Sequence, residues 1–179
     1  VFVASSTAGS PFSGTMSVPT TVPDPSTNVS VVGLEVLSPT RFHIAFVVDD
    51  VYLEVATSSD GSTLVRQGVP TGLLTPVTPR LASAYDPQFL HLVWAQPPGD
   101  QANDLGLFRS ISQDYGETFS DFSPVLGSEP DGEPLPGFLP DVLVRGSDRY
   151  IVWRRNLSNG RSDIWFHLWR HYRFPWETQ

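Results

Sequence analysis

Apolar and polar residues alternate along three short runs that each close on an aromatic: Phe42-His43-Ile44-Ala45-Phe46, Leu90-His91-Leu92-Val93-Trp94 and Arg149-Tyr150-Ile151-Val152-Trp153. A period of two in β-branched and aromatic residues predicts strands. Each run has neighbours of the same kind. Val31–Leu37, Leu81–Tyr85 and Val142–Val144 come before them, and Tyr52–Thr57, Leu105–Ser112 and Ile164–Trp169 come after. No window carries a helical stripe, and prolines interrupt almost every stretch that could hold one. The pattern predicts an all-β chain.

A phrase follows the third strand of each group. It is clearest as Ser112-Gln113-Asp114-Tyr115-Gly116-Glu117-Thr118-Phe119. Ser5, Gly9 and Phe12 match its serine, glycine and aromatic, with Thr7 in the place of the aspartate. Ser58, Asp60 and Gly61 form a copy shortened by one residue, and Trp169 to Trp176 keeps only the closing aromatic. The equivalent positions Thr7, Asp60, Asp114 and His171 lie 53, 54 and 57 residues apart, the period of a four-stranded propeller blade. The residue types suit a tight turn. Asp114 can accept from backbone N–H groups, Gly116 can take positive φ, Ser112 and Thr118 offer hydroxyls, and Phe119 can plug the hydrophobic base.

The phrase resembles the Asp-box of the bacterial neuraminidase repeat, S-x-D-x-G-x-x-W/F, found in sialidases and other β-propellers. The second-strand runs are similar to that family's l-y-v-v-W strand. The resemblance implies blades of four antiparallel strands with the box closing the hairpin between third and fourth strands, a structural role. It divides the chain into half a blade (1–22) and three blades (23–70, 71–126 and 127–179), about three and a half in all. Such an arc leaves strand edges exposed and does not close alone, so a partial propeller or one completed by further polypeptide is expected. The start at Val1 reads as a processed product or a piece of something longer, which a cleaved leader would fit.

In the family's geometry, ligands meet the loops opposite the boxes: Val48 to Val51, Gln67 to Arg80, Gln96 to Leu105, Pro124 to Asp141 and Arg154 to Asp163. Asp100, Asn103 and Asp104 are rich in oxygen and would be the ligands of a calcium ion, although the spacing matches no strong motif and a solvated turn is the first reading. Arg154 and Arg155, with Asp163 nearby, would clamp a carboxylate or sulfated glycan; a structural salt bridge to Asp163 is the first reading. The acidic stretch Ser128 to Gly137 reads as a surface connection. His43, His91 and Tyr150 occupy one position of successive second strands, which points to packing between blades. His167 and His171 on a strand would stand about 13 Å apart, too far to share a metal. No catalytic residue, metal site or cofactor is assigned.

Composition narrows the function. At 179 residues with 40% hydrophobic and 12% aromatic, the chain can bury a core and is not expected to be disordered. No segment approaches the roughly 18 to 20 apolar residues of a membrane span. A formal charge of −8 opposes nucleic-acid binding, which rests on neutralising phosphates. Cysteine and lysine are both absent. Sequons at Asn28 and Asn156 fall in predicted loops and lean, with the family's frequent secretion, towards an extracellular or cell-surface setting. The expectation is a non-enzymatic extracellular propeller module acting in assembly, by self-association or with a completing chain, or in binding protein or glycan. The alternative is a sialidase-like glycoside hydrolase or lectin fragment whose catalytic residues lie partly outside this chain. The family's F-R-I-P start, Arg triad and Tyr–Glu pair cannot be assigned here.

Overall fold

The computed structural model describes residues 2–4, 15–17, 29–38, 40–71, 76–83, 88–96, 106–125, 138–146, 148–156 and 160–170. Among these there is no helix, and every sheet is antiparallel. β1 (Phe2–Ala4) pairs with β2 (Thr15–Ser17). The first four-stranded sheet runs β3 (Val29–Val36), β4 (Phe42–Val48), β5 (Tyr52–Ser58), β6 (Val65–Val69). The second repeats that order with β7 (Val77–Ser83), β8 (Leu90–Gln96), β9 (Gly106–Ser112) and β10 (Ser123–Pro124). The third has β11 (Phe138–Arg145), β12 (Asp148–Asn156) and β13 (Ser162–Arg170).

The sheets follow one another in a constant way. β7 packs across β3 and β4, and β11 packs across β7 and β8, so each leading strand covers the start of the sheet before it. Side-chain alternation then feeds two cores at once. Leu90, Leu92 and Trp94 join Ala45, Val47 and Val55 of the first sheet, while Val93 and Ala95 join Val142, Ile151 and Trp153 of the third. This is why every residue of β8 is buried, whichever way it points; β4 is buried throughout because Phe42, Ile44, Phe46 and Val48 gather with Ala56 and Leu64 in a third cluster on its other face. The buried Trp94 indole N–H donates to Gln96 Oε1 at 2.7 Å, which spares the core an unmet donor.

Each leading strand carries a bulge at the same place, where register slips between Val31 and Gly33, between Val77 and Arg80, and between Phe138 and Asp141. Pro79 and Pro140 sit inside two of these bulges, preceded by Thr78 and Leu139 at positive φ (47° and 51°). A bulge leaves a residue out of the ladder, so a proline without an N–H costs no hydrogen bond there. The sequence pattern starts the strands only after these prolines, at Leu81 and Val142; the observed strands begin earlier for this reason. Gly33 lies where β3 and β7 come closest: a Cβ there would stand 3.0 Å from the Pro79 carbonyl oxygen.

Candidate functional site

Two turns organise the side-chain chemistry. Ser112 Oγ donates to Asp114 Oδ1 at 2.7 Å and accepts from the Gly116 N–H at 2.8 Å. Asp114 in turn accepts from the Thr118 N–H at 2.8 Å and from the Thr118 hydroxyl at 2.5 Å. Gly116 takes φ +85° and Phe119 packs against the core shared by the first two sheets. The shorter copy repeats this network. Ser58 Oγ accepts from the Gly61 N–H at 2.9 Å, and Asp60 Oδ1 accepts from the N–H groups of Ser62 and Thr63 at 2.8 and 2.7 Å. Buried Leu64 takes the aromatic's place. Both aspartates are spent on their turns, and their acidity records it. The Thr63 and Ser62 N–H groups and then the Thr63 hydroxyl hold Asp60 far below the usual carboxylate range. At Asp114, burial is the largest single influence and pushes upward, but the hydrogen bonds from Thr118, Ser112 and Glu117 together outweigh it and lower the pKa.

The longer turn also locks two sheets together. It reaches the first sheet at His43, which is fully buried and whose Nδ1 lies 2.9 Å from Thr57 Oγ1. A Cβ on Gly116 would meet Thr57 Oγ1 at 2.8 Å and His43 Nδ1 at 3.0 Å, so only glycine fits the seat. Arg41 stacks over the Tyr115 ring at 4.8 Å, and the Tyr115 N–H donates to the Gln88 carbonyl at 3.1 Å. Burial first, and the Arg41 charge second, push His43 down to about 4, so the ring is neutral. At the equivalent position of the second sheet, Arg149 Nε donates towards the His91 ring, 3.2 Å from Nε2. Arg109 lies beside it in the same small crevice. Burial and then the Arg149 charge bring Arg109 down to about 10, and burial and then Arg109 lower His167. The expected role of His43 and His91 as packing positions between sheets matches what surrounds them.

The other anticipated residues are scattered. Arg154 and Arg155 are neighbours on β12, and alternation puts them on opposite faces. Arg154 lies over Phe138 at 5.1 Å and donates to Ser162 Oγ at 2.8 Å, whereas Arg155 lies over Trp165 at 5.0 Å. The two guanidiniums therefore do not form one clamp. Asp163 stands across the ladder from Arg155 and is exposed. Asn156 closes β12 opposite Ser162. Ser5, Gly9, Phe12, Asn28, Asp100, Asn103, Asp104, the stretch 128–137 and the box copy at 171–176 lie outside the described residues. Among the described residues, no group of three or more His, Asp or Glu side chains converges as a metal site, and no helix is long and apolar enough to cross a membrane.

Two further surfaces stand out. The first is an open cleft of about 390 Å³ along the ends of β7 and β11, lined by Glu35, Ser83, Leu143, Val144 and Arg145. Glu35 Oε1 accepts from the Ser83 hydroxyl at 2.5 Å and from its N–H at 3.1 Å, which ties β3 to β7. The second is the far face of the third sheet, where Leu143, Val152, Ile164 and Phe166 are exposed. Tyr150 leans on Phe166 there, with ring centroids 6.1 Å apart. No protein-family description, curated protein or solved structure matches the chain.

Proposed function

We propose that this chain is a non-enzymatic β-propeller module of about three and a half blades that works outside the cell through its surfaces, in assembly or in binding protein or glycan. Two things support the propeller reading: the three sheets repeat one meander order, and each leading strand, bulged at the same place, covers the sheet before it. The observation that carries the functional reading is the far face of the third sheet. The same face of the first and second sheets is sealed by the sheet that follows, and on the third it displays Leu143, Val152, Ile164 and Phe166 to solvent. A contiguous apolar patch of this kind marks a binding surface more often than a lone exposed residue does. Arg154 adds a charged rim, as in interfaces that must choose partners.

The test is solution mass by light scattering over a dilution series, for the natural sequence and for Val152→Asp. Assembly predicts a mass above the monomer that falls on dilution, and loss of that excess mass in Val152→Asp. At this 39% exposed strand position the substitution costs about 1 kcal/mol of strand propensity, and thermal unfolding verifies that the variant folds. An excess mass untouched by Val152→Asp, or a monomer at every concentration, would refute assembly through this face.

A further inference from the structure

The partner of the exposed face can be read from the two junctions inside the chain. Register pairs Leu34 with Ile44, Leu81 with Leu92 and Val142 with Ile151, so Leu34, Leu81 and Val142 hold one position of three leading strands. Leu81 and Val142 point into the preceding sheet and are 6% and 8% exposed; Leu34 is 59% exposed, as is Val36 two residues on. The receiving side has the same logic. Ala45 pairs with Gly33, Val93 with Arg80 and Val152 with Asp141, which makes Ala45, Val93 and Val152 equivalent on the second strands. Ala45 and Val93 are covered by the next sheet at 0% and 2% exposure, whereas Val152 is 39% exposed and Phe166 beside it 59%.

The chain therefore leaves exposed one strip from each half of such a junction. A leading strand with exposed Leu34 and Val36 stands on the first sheet, and a receiving face around Val152 stands on the third. Inside the chain the closest strand-on-strand approach is made by the leading strand, β7 on β3 and β4 and β11 on β7 and β8, with side chains of the second strand (Leu92 and Trp94, Ile151 and Trp153) filling in beside it; β3 has the leading-strand part of that surface to offer. β4, the second strand of the first sheet, has its corresponding face already buried, at Phe42, Ile44, Phe46 and Val48, so the strip on β3 is what remains for a partner.

From this we infer that the occupant of the third sheet's face is a second copy of the same chain, docked head to tail with its β3 laid across β11 and β12, Leu34 of one copy against Val152 of the next. This rests on the reading of that face as an assembly surface and adds the partner and its orientation. Such a contact is heterologous, so copies extend the arc in one direction and either close a ring or grow.

The absence of cysteine makes the test direct. Leu34→Cys and Val152→Cys are prepared separately and oxidised, alone and mixed; both positions are exposed, and thermal unfolding verifies that each variant folds. Head-to-tail docking predicts a disulfide-linked dimer in the mixture and far less in either variant alone, with a ladder of multimers from the doubly substituted chain. Cross-linking of Val152→Cys to itself, or none in the mixture while Val152→Asp still abolishes the excess mass, would overturn the inference and leave the face as an interface for something else. A natural chain that is monomeric at every concentration would remove both. Should a cysteine variant fail to fold, Leu34→Asp mixed with Val152→Asp decides: each alone is expected to be a monomer, and together they are expected to give a mass limited to two chains.

Discussion

Gly116 is the position where turn chemistry and the joining of sheets meet, so replacing it by alanine separates two costs that usually come together. The first is conformational. At φ +85° an alanine pays roughly 1–2 kcal/mol for the left-handed region. The second is steric. The new Cβ would lie 2.8 Å from Thr57 Oγ1 and 3.0 Å from His43 Nδ1, and both obstacles are short or fully buried side chains held in strands. Forcing a methyl into such a packed place costs about 1–3 kcal/mol. Gly116→Ala is thus expected to destabilise by about 2–5 kcal/mol. Gly146→Ala and Gly160→Ala, at φ +61° and +77° with nothing within 4 Å of the new Cβ, isolate the conformational part at about 1–2 kcal/mol. The assay is urea unfolding followed by tryptophan fluorescence, comparing midpoints at constant slope. Adding Thr57→Ala to Gly116→Ala should recover part of the difference, because the two sites are in contact and their effects do not add. If Gly116→Ala costs no more than Gly146→Ala, the turn does not press on the first sheet as described and the reasoning fails.

His43 gives a pH signature: its folded pKa of about 4 lies below the ordinary 6.5, so the unfolded chain binds more protons between these values and stability falls as pH drops through that window. The full loss is about 3 kcal/mol by pH 4, at about 1.4 kcal/mol per unit, and His43→Gln should flatten the slope of unfolding free energy against pH between 6.5 and 4; an unchanged slope would refute the buried neutral ring. The two serine turns should respond unequally: Ser112→Ala leaves the buried Gly116 N–H without an acceptor and is expected to cost about 1–3 kcal/mol, whereas Ser58→Ala frees the less buried Gly61 N–H to find water and should cost less. Equal losses in urea unfolding would speak against this use of burial.

Period and motif made the strands legible because both are local. Alternation needs only neighbours, and the aspartate turns need only the eight residues that form their hydrogen bonds. The bulges were not legible, because a proline in a run argues against a strand unless one knows that the ladder slips at that residue, as it does at Pro79 and Pro140. The pairing of Gly116 with His43 was hidden for a similar reason: the glycine is accounted for by its own turn, and nothing within the phrase tells that a ring from 73 residues earlier presses on it. Arg154 and Arg155 were attractive as a clamp only while their chain was taken for a loop. Once β12 extends through them, adjacent residues must point apart.

The asymmetry between the first and third sheets follows from substitutions that alternation alone cannot rank. Ala45 and Val93 are small and sealed; Val152 is as apolar as they are, yet its neighbour Arg154 holds the place of Val47 and Ala95 and is exposed over Phe138. An arginine there opposes indiscriminate sheet-to-sheet adhesion, since any partner must leave the guanidinium solvated or stacked. At the internal junctions the equivalent Val47 and Ala95 are sealed at 2% and 0% exposure, so a leading strand docked on Val152 and Leu143 has to leave the guanidinium room beside it. The two internal junctions use the same leading strand and the same bulge, so a third made by β3 of another copy would repeat the leading-strand part of their geometry. Equal steps are the condition for uniform curvature, and the number of copies follows from the rotation between successive sheets.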